Sequence, residues 1–247
     1  NLISNYNNSC IYFFEIFLHI KKLYMIFENE LISGTLIKRY KRFFVDIKVK
    51  NKVITAHCPN TGSMMGLLKK GNKVWLTKSN DIKRKLKYTL QIIEVNGSKV
   101  GVNTHLTNKI FYESLLNGNI INLKKTDILF REKQFNKNTR FDFFIKQKNK
   151  GIFIEVKNVT LSRFKNIAEF PDAVTERGLK HINELLAAKK KGFDVYLAFV
   201  IQREDCKKFK IAADIDPNYK KLLTVALKNN LKVICYDCKF LTKGIII

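Results

Sequence analysis

The sequence predicts a mixed α/β protein in which a small β-barrel precedes a domain that combines strands with helices. Short runs of alternating or apolar residues, separated by turn signals, fill the chain from Leu31 to about His105. Helical spacing of apolar residues begins after Asn108. A hydrophobic content of 46% with 3 prolines in 247 residues is typical of a compact, ordered chain with one large core or two smaller ones.

Six strands make up the first half of this prediction. We expect them at Ile32–Tyr40, Phe43–Val49, Val53–His57, Val74–Thr77, Tyr88–Val95 and Lys99–Val102. Turn signals between them include Lys50-Asn51-Lys52, Gly71-Asn72 and Asn96-Gly97. A barrel of the OB type fits this length and the basic, aromatic surface, although strand count alone leaves other small β folds open.

The second half shows both periodicities and is predicted to be α/β. Two antiparallel strands are predicted at Arg140–Lys146 and Gly151–Lys157, joined by a turn at residues 147–151. Asp216 followed by Pro217 has the pattern of a helix N-cap and a first helical residue. The other expected elements are helices at Asn108–Leu116, within residues 172–191 and from Asp216 toward Asn229, and strands at Asp194–Gln202 and Leu231–Tyr236.

The antiparallel pair carries the residues with the clearest chemistry. Glu155 and Lys157 are two positions apart on one strand, so they point to the same face, and Asp142 can reach that face from the adjoining strand. Two carboxylates suit a hard cation such as Mg²⁺ or Mn²⁺, which we expect at Asp142 and Glu155. Lys157 would position or help activate a water, or stabilise developing negative charge.

A third carboxylate, Glu113, lies on the predicted helix at Asn108–Leu116 and is an additional candidate metal ligand. Each of these assignments has an ordinary alternative. Glu155 and Lys157 also fit a surface ion pair on a strand, and Glu113 fits a charge on a helix surface.

Charge indicates the partner. The chain has 46 Lys and Arg against 21 Asp and Glu, a formal net charge of +25, which attracts polyanions. DNA is the leading partner and RNA the alternative, since charge does not distinguish their sugars. A lysine-rich composition from genomic A+T bias, or a solvated helix face, would also produce part of this charge. The expected nucleic-acid contacts are Lys38, Arg39, Tyr40, Lys41, Arg42, Arg84, Lys85, Arg177, Lys180 and His181.

Residues at the ends of two predicted strands are candidates for further contacts. The segment Pro59–Ser63 is expected to be a structured loop that lends hydroxyls and backbone amides to a phosphate. A Cys58 and His57 dyad is not expected, because neighbouring residues on a strand point to opposite faces. Gln202 and Arg203, at the end of a buried strand, are expected to face the metal site.

The cysteines and the first residues indicate a reduced, cytoplasmic chain. Five cysteines are an odd number, and the spacing of Cys235 and Cys238 lacks a second ligand pair, so no zinc is expected. Residues 1–24 are expected to be an extension upstream of domains that begin at Met25, and their apolar run is too short to span a bilayer. A membrane-surface helix is the alternative for that segment.

The sequence closely resembles the SfsA family, the sugar fermentation stimulation proteins, from about Leu31 to Tyr236. The matching motifs are Arg39–Phe43, His57–Met64, Arg84–Leu86, Gly101–Thr104, Glu155–Leu161 and Phe170–Gly178, followed by Lys180 and His181. Thr139 departs mildly from the pattern, since family members often have Ser before the Arg that corresponds to Arg140, and the hydroxyl is kept.

The resemblance implies an OB-like domain over residues 25–105 and a domain similar to PD-(D/E)xK nucleases over residues 106–247. In that comparison Asp142, Glu155 and Lys157 occupy the nuclease-core positions, and Glu113 is the helical acid. It also implies largely non-specific DNA binding and a role in regulating sugar, particularly maltose, metabolism. Nuclease activity, a non-catalytic DNA-binding regulator on a nuclease scaffold, and RNA binding or processing all stay open, because fold alone does not decide among them.

Overall fold

The computed structural model describes residues 24–118, 120–121 and 127–247. The expectation of an extension at residues 1–24 therefore lies outside the described residues, apart from Tyr24. Within the described ranges, no helix has the length and apolar character needed to cross a membrane.

The described residues form three α-helices, a short 3₁₀ helix at Thr104–Leu106 and seventeen strands. The helices are α1 (Thr107–Leu116), α2 (Glu176–Lys190) and α3 (Pro217–Lys228). The first seven strands are β1 (Met25–Ile26), β2 (Ile32–Tyr40), β3 (Phe44–Val49), β4 (Lys52–His57), β5 (Lys73–Lys78), β6 (Tyr88–Val95) and β7 (Ser98–Gly101). The remaining ten are β8 (Ile128–Asn136), β9 (Thr139–Lys146), β10 (Gly151–Val159), β11 (Leu161–Phe164), β12 (Ile167–Phe170), β13 (Asp194–Ile201), β14 (Lys208–Ile211), β15 (Lys232–Asp237), β16 (Lys239–Phe240) and β17 (Gly244–Ile246).

The first half forms a closed barrel of five strands. Strands pair in the order β4-β3-β2-β5-β6, and a parallel contact between β4 and β6 at His57 and Thr89 closes the ring. Strand β7 extends the sheet from β6. Inward side chains fill the barrel, among them Leu36, Val45 and Leu76, which are fully buried. The predicted OB-type barrel is confirmed. No observed strand end differs from its predicted position by more than one residue.

The second half is an α/β layer structure around a five-stranded sheet of order β15-β13-β10-β9-β8. Strands β8, β9 and β10 are antiparallel, whereas β10, β13 and β15 are parallel. Helix α1 packs on one side with Phe143 and Ile154, and helices α2 and α3 pack with Phe153 and Phe199 on the other. The mixed α/β fold class is therefore confirmed.

Side chains cap the N-termini of α2 and α3, and the cap of α3 is the one that the sequence indicated. Asp216 accepts the Tyr219 N–H at 2.9 Å with Pro217 in the first turn, as expected for an N-cap. Thr175 accepts the Gly178 N–H at 3.0 Å and begins α2. The predicted range for this helix began at Asp172, and helix α2 starts four residues later, at Glu176.

Two small sheets and one edge strand were not predicted. Strands β11, β12 and β14 form one small sheet, and β1, β17 and β16 form the other. Strand β8 lies at the edge of the main sheet, and most of its side chains are exposed or half-buried, so it lacks the alternation of a buried strand.

The barrel contacts the second half along β7. The Gly101 N–H donates to the Gln202 carbonyl at 2.9 Å, and the Glu204 N–H donates to the Lys99 carbonyl at 3.2 Å. Val100 and Arg203 form an isolated bridge. The strand edge of the barrel is thereby attached to the segment that follows β13, and the boundary near residue 105 stays a prediction.

Candidate metal and nucleic-acid site

Glu155 and Lys157 lie side by side in the middle of β10. Lys157 Nζ donates to Glu155 Oε1 at 2.7 Å, and the two side chains are 13% and 4% exposed respectively. Alternation along the strand places both on the face that carries α2, as their spacing predicted. The attraction between the two groups offsets part of the free energy needed to remove each from water.

Asp142 enters the site from the neighbouring strand β9. The ladder between β9 and β10 runs from Lys146 with Gly151 to Phe143 with Ile154. Asp142 is the next residue, and its Oδ2 accepts the Val156 N–H at 2.7 Å, taking the place of a backbone carbonyl. Its other oxygen, Oδ1, accepts Asn108 Nδ2 at 2.7 Å. Asp142 is therefore fixed by two neutral donors at the point where the strands separate.

Burial, followed by the negative charge of Glu155, raises the pKa of Asp142 to about 7. The hydrogen bonds from Val156 and Asn108 and the charge of Lys157 act in the opposite direction but are outweighed. Two carboxylates thus share one buried region with a single lysine, and a divalent cation would supply the missing positive charge.

His181 on α2 completes the surroundings of Glu155. Its Nδ1 contacts Glu155 Oε1 and lies 3.0 Å from Lys157 Nζ, and Arg177 Nε donates to its Nε2 at 3.4 Å. Burial by itself raises the pKa of Glu155, but the hydrogen bond with His181 and the charge of Lys157 outweigh burial and hold that pKa below its usual value. His181 is 9% exposed, so the structure places it against Glu155, and its predicted phosphate contact stays a prediction.

The donor set fits a hard cation. Mg²⁺ and similar ions take oxygen ligands, keep several waters and need one or two carboxylates from the protein, which Asp142 and Glu155 provide. Among the described residues, no group of three or more His, Cys, Asp or Glu side chains has the arrangement of a metal site. Two carboxylates with water and phosphate oxygens are then the set that this region offers.

Helix α1 turns Asn108, rather than Glu113, toward Asp142. The two helical residues are five positions apart, which places them about 140° apart around the helix axis. Glu113 is half-buried on that different face. Its role as a metal ligand stays a prediction, and the helical contact that the structure records is the amide of Asn108.

Two cavities meet at Arg177 beside this site. One, of about 380 Å³, is bordered by Lys157, Asn158 and the loop Asn60–Gly62. The other, of about 460 Å³, is bordered by Lys180, His181 and the turn between β8 and β9. Arg177 borders both cavities, and Lys157 and His181, which contact Glu155, border one each. We call this pair of cavities the cleft.

The loop Asn60–Ser63 forms the barrel side of the cleft and is held from two directions. Arg39 donates to the Asn60 carbonyl at 2.7 Å and to the Gly62 carbonyl at 3.1 Å. The Ser63 N–H donates to Asp172 Oδ2 at 3.0 Å across the two halves of the chain. The structured loop is as expected, but the structure corrects one detail: the amides of Gly62 and Ser63 already bond Asn60 and Asp172 and are not directed at a phosphate.

The remaining predicted nucleic-acid contacts lie on the barrel. Tyr40 stacks on Phe44 with ring centroids 5.5 Å apart, and Lys38 Nζ lies 5.5 Å from the centre of the Tyr40 ring. Lys41 and Arg42 form the turn after β2, both with positive φ. Arg84 donates to Thr89 Oγ1 at 2.8 Å, and Lys85 is exposed. Arg140, Lys180 and Arg177 border the cleft, whereas Lys38 to Arg42 form a separate basic hairpin.

The two residues at the end of β13 do not face the metal site as expected. Gln202 Nε2 donates to Asn158 Oδ1 at 2.7 Å and to Thr107 Oγ1 at 3.1 Å. The Arg203 guanidinium is held by Asp205 and by the Thr160 carbonyl. Both side chains therefore support the junction between the two halves.

Sequence reasoning missed Asn108 and Asp172. Asn108 was used only as the first residue of a helix, and an amide in that position gives no signal of a contact with a distant strand. Asp172 lies within the motif Phe170–Gly178 that resembles the family. That resemblance was the available signal that Asp172 is a functional residue.

Two family models match the chain. The model described as the SfsA N-terminal OB domain matches residues 37–102, and the sugar fermentation stimulation protein RE domain matches residues 105–244. A sugar fermentation stimulation protein homolog of Pelagibacter ubique is 51% identical over 221 residues, which cover 90% of this chain and 95% of the relative. The homolog of Sinorhizobium medicae is 39% identical over 217 residues, which cover 87% and 91%.

A solved structure is similar over nearly the whole fold. The structure of Pyrococcus furiosus SfsA in complex with Ca²⁺ matches with a TM-score of 0.81 and 26% identity. The match covers 91% of this chain and 95% of that protein.

Proposed function

This chain belongs to the sugar fermentation stimulation protein family, and from that premise we propose that it binds DNA largely without sequence preference and hydrolyses its phosphodiester bonds. The proposed ion is Mg²⁺ or Mn²⁺, held by Asp142 and Glu155. The observation that carries the proposal is the pair of carboxylates, Glu155 buried and Asp142 half-buried, with Lys157 Nζ at 2.7 Å from Glu155. The Ca²⁺ in the Pyrococcus furiosus relative supports a hard divalent cation in this family.

A bound divalent ion would supply charge neutralisation at the phosphate and a water of lowered pKa. The protein's own groups would do the rest. Asn108 and the Val156 N–H hold the Asp142 carboxylate, and His181 holds Glu155. Lys157 carries a positive charge at the edge of the cleft, where it would orient the attacking water or stabilise charge on the phosphate.

The charge distribution supports nucleic acid as the substrate. Arg140, Arg177 and Lys180 border the cleft and would contact phosphates on either side of the scissile bond. The hairpin with Lys41 and Arg42 adds positive charge and a Tyr40 ring on the barrel. Contacts of this kind give affinity without base readout. We propose that an influence on sugar metabolism, including maltose, would act through such DNA binding.

One observation favours a second candidate, a DNA-binding regulator without turnover. Glu155 Oε1 is already engaged by Lys157 and by His181, so an ion would have to share this carboxylate or displace a partner. A site of that kind could bind DNA through its basic residues and stay catalytically silent.

The deciding experiment measures cleavage of labelled single-stranded, duplex and branched DNA, and of RNA, with Mg²⁺ or Mn²⁺. Asp142→Asn and Glu155→Gln are expected to abolish cleavage while DNA binding in EDTA is kept. Glu30→Gln, which changes an exposed carboxylate, is the matched control and is expected to cleave normally. Wild-type protein that binds DNA, binds Mn²⁺ by calorimetry and cleaves none of these substrates would instead support the regulator.

A further inference from the structure

A further cavity lies on the barrel and outside the cleft. It measures about 640 Å³ and is bordered by β4, β5 and β6 of the barrel and by the start of α1. Its central residues are His57, Arg84, Gln91, Asn103, His105 and Lys109. We call it the barrel pocket. Its volume lies in the range of pockets that enclose small ligands.

The floor of the barrel pocket is polar where the barrel would otherwise be apolar. Gln91 and Asn103 are 6% and 8% exposed. Asn103 Nδ2 donates to Gln91 Oε1 at 2.8 Å, and Gln91 Nε2 donates to Thr77 Oγ1 at 2.8 Å. Each amide keeps a further donor and acceptor, because a side-chain amide has two N–H groups and two lone pairs. Buried amides that are linked in this way present a fixed hydrogen-bonding surface to a ligand.

The walls of the barrel pocket bring cations and imidazoles together. Arg84 borders the cavity and is anchored through one terminal nitrogen on Thr89 at 2.8 Å, a bond that uses one of the five N–H groups of its guanidinium. Burial, then the charges of Arg84 and His105, lower the pKa of His57, so these three groups are close neighbours. Lys78 and Lys109 add positive charge.

Two carboxylates also border the barrel pocket. Asp81 uses Oδ1 to accept the Lys83 N–H at 2.8 Å, and Glu28 is exposed at the rim. Arg84, Lys78 and Lys109 outnumber them, and the polar floor is neutral. A ligand that carries one phosphate and a hydrogen-bonding ring system matches this combination of cationic wall, imidazole rings and amide floor.

We propose that the barrel pocket binds one nucleotide unit, with its phosphate on Arg84 and Lys109 and its base against the imidazoles and the amides of Gln91 and Asn103. The unit could come from a free nucleoside monophosphate or from an unpaired nucleotide of a nucleic-acid strand. Both sources present the same chemistry to the pocket.

The position of the barrel pocket relates it to the cleft. Thr104 Oγ1 donates to the Pro59 carbonyl at 2.8 Å. Pro59 and His105 border the barrel pocket, whereas Asn60 and Thr104 border the cleft, so this one hydrogen bond separates the two spaces. A strand in the cleft could therefore place a neighbouring nucleotide in the barrel pocket, and this second source rests on the proposed function.

The test is calorimetry with the full chain in EDTA, so that neither metal binding nor turnover affects the result. Thymidine 5′-monophosphate is compared with thymidine, and a thymidine tetranucleotide with phosphodiester linkages is compared with the same tetranucleotide bearing uncharged methylphosphonate linkages; the first member of each pair is the phosphorylated one. We expect the phosphorylated member to bind at least about tenfold more tightly in one or both pairs. Arg84→Gln and Lys109→Gln should each remove most of that difference.

Lys148→Gln is the matched control, because it removes an exposed lysine from the turn between β9 and β10 and should leave binding unchanged. Lys109→Gln keeps the proposal testable if Arg84→Gln disturbs the barrel through Thr89. Tight binding of the mononucleotide assigns the free nucleotide, and tight binding of the tetranucleotide alone assigns the strand. Equal affinity with and without phosphate, or an equal loss in Lys148→Gln, would overturn the pocket whether or not the protein cleaves DNA.

Discussion

Asp142 and Glu155 have the same chemistry and opposite environments. Glu155 is engaged by Lys157 and by His181, and its pKa is held below the usual value against the effect of burial. Asp142 receives hydrogen bonds from the neutral Asn108 amide and the Val156 N–H, and burial with the nearby Glu155 charge raises its pKa to about 7. The ionised form of Asp142 is therefore the unfavourable one in the metal-free fold.

This difference predicts that Asp142→Asn stabilises the metal-free protein at high pH. A raised pKa in the folded state contributes stability below the unfolded pKa of about 4, and that contribution is lost as pH rises through about 7. Asn is uncharged at every pH, so the variant should match wild type near pH 5 and exceed it by about 1 to 3 kcal/mol at pH 8. Chemical denaturation in EDTA at several pH values measures the difference.

Asp81→Asn provides the comparison at an exposed carboxylate and should show no such pH-dependent gain. A variant at Asp142 that is less stable than wild type at pH 8 would mean that its hydrogen bonds, and not its charge, dominate. Adding Mn²⁺ should stabilise wild type and leave Asp142→Asn unchanged, which links the same carboxylate to the ion.

The local part of this site could be predicted from sequence. Glu155 and Lys157 share a face because side chains alternate along a strand, and Asp142 is close because a short turn joins the two strands. His181 against Glu155, and Asn108 against Asp142, depend on how α2 and α1 pack on the sheet. No local pattern contains that information, so His181 was predicted only as a nucleic-acid contact.

At the scale of elements, the loop Asn60–Ser63 connects the barrel to the cleft. Arg39 bonds its carbonyls from within the barrel, and Asp172 bonds the Ser63 amide from the segment before α2. A methyl group added at Gly62 would overlap Asp172 Oδ2 and lie 3.1 Å from Asn60 Oδ1. The close approach of Gly62 to Asp172 is thus what allows the loop to lie against the second half.

Gly62→Ala is therefore expected to destabilise the protein by about 1 to 2 kcal/mol, because the Asp172 carboxylate must move away from the Ser63 amide. Hydrogen exchange at Ser63 should become faster, and thermal denaturation should report the loss. The double-mutant cycle with Asp172→Ala isolates the cause. If the overlap is responsible, Gly62→Ala should cost less than about 0.5 kcal/mol in the Asp172→Ala background; an undiminished cost there would point to backbone strain instead.

Strands were predicted correctly where burial imposes a regular pattern of apolar residues, and they were missed where it does not. The barrel strands, β10 and β13 have buried faces with regular alternation or continuous apolar runs, and the cap at Asp216 is local. Strand β8 is an edge strand with a mostly exposed, charged sequence, which resembles a loop. The two-residue strand β1 pairs with the distant strand β17, and the two-residue strand β16 pairs with β17 across a short turn. Strands this short contain too few residues to show a pattern of their own.

At the scale of the whole molecule, backbone and side-chain hydrogen bonds join the two halves on two sides. Strand β7 is bonded to residues 202–204, and the Ser63 and Asp172 contact closes the other side of the junction. With a net charge of +25, long-range attraction to a polyanion is expected whichever face it meets. The functional question is whether phosphates collect in the cleft or spread over the surface.

The dependence of DNA affinity on salt separates these cases. Each phosphate contact by a cation releases counterions and adds about 0.9 to the slope of log affinity against log salt for duplex DNA. If phosphates occupy the cleft, Arg177→Gln and Lys180→Gln should each lower that slope by about 1 and weaken binding several-fold, equally for different sequences. Lys148, about 20 Å along β9 from Asp142, offers the matched change, and Lys148→Gln should leave the slope nearly unaltered. Fluorescence anisotropy over a salt series provides the slopes. Equal small changes in all three variants would show that the charge acts diffusely, as compositional bias alone would produce, and the cleft would lose its assignment as the DNA path.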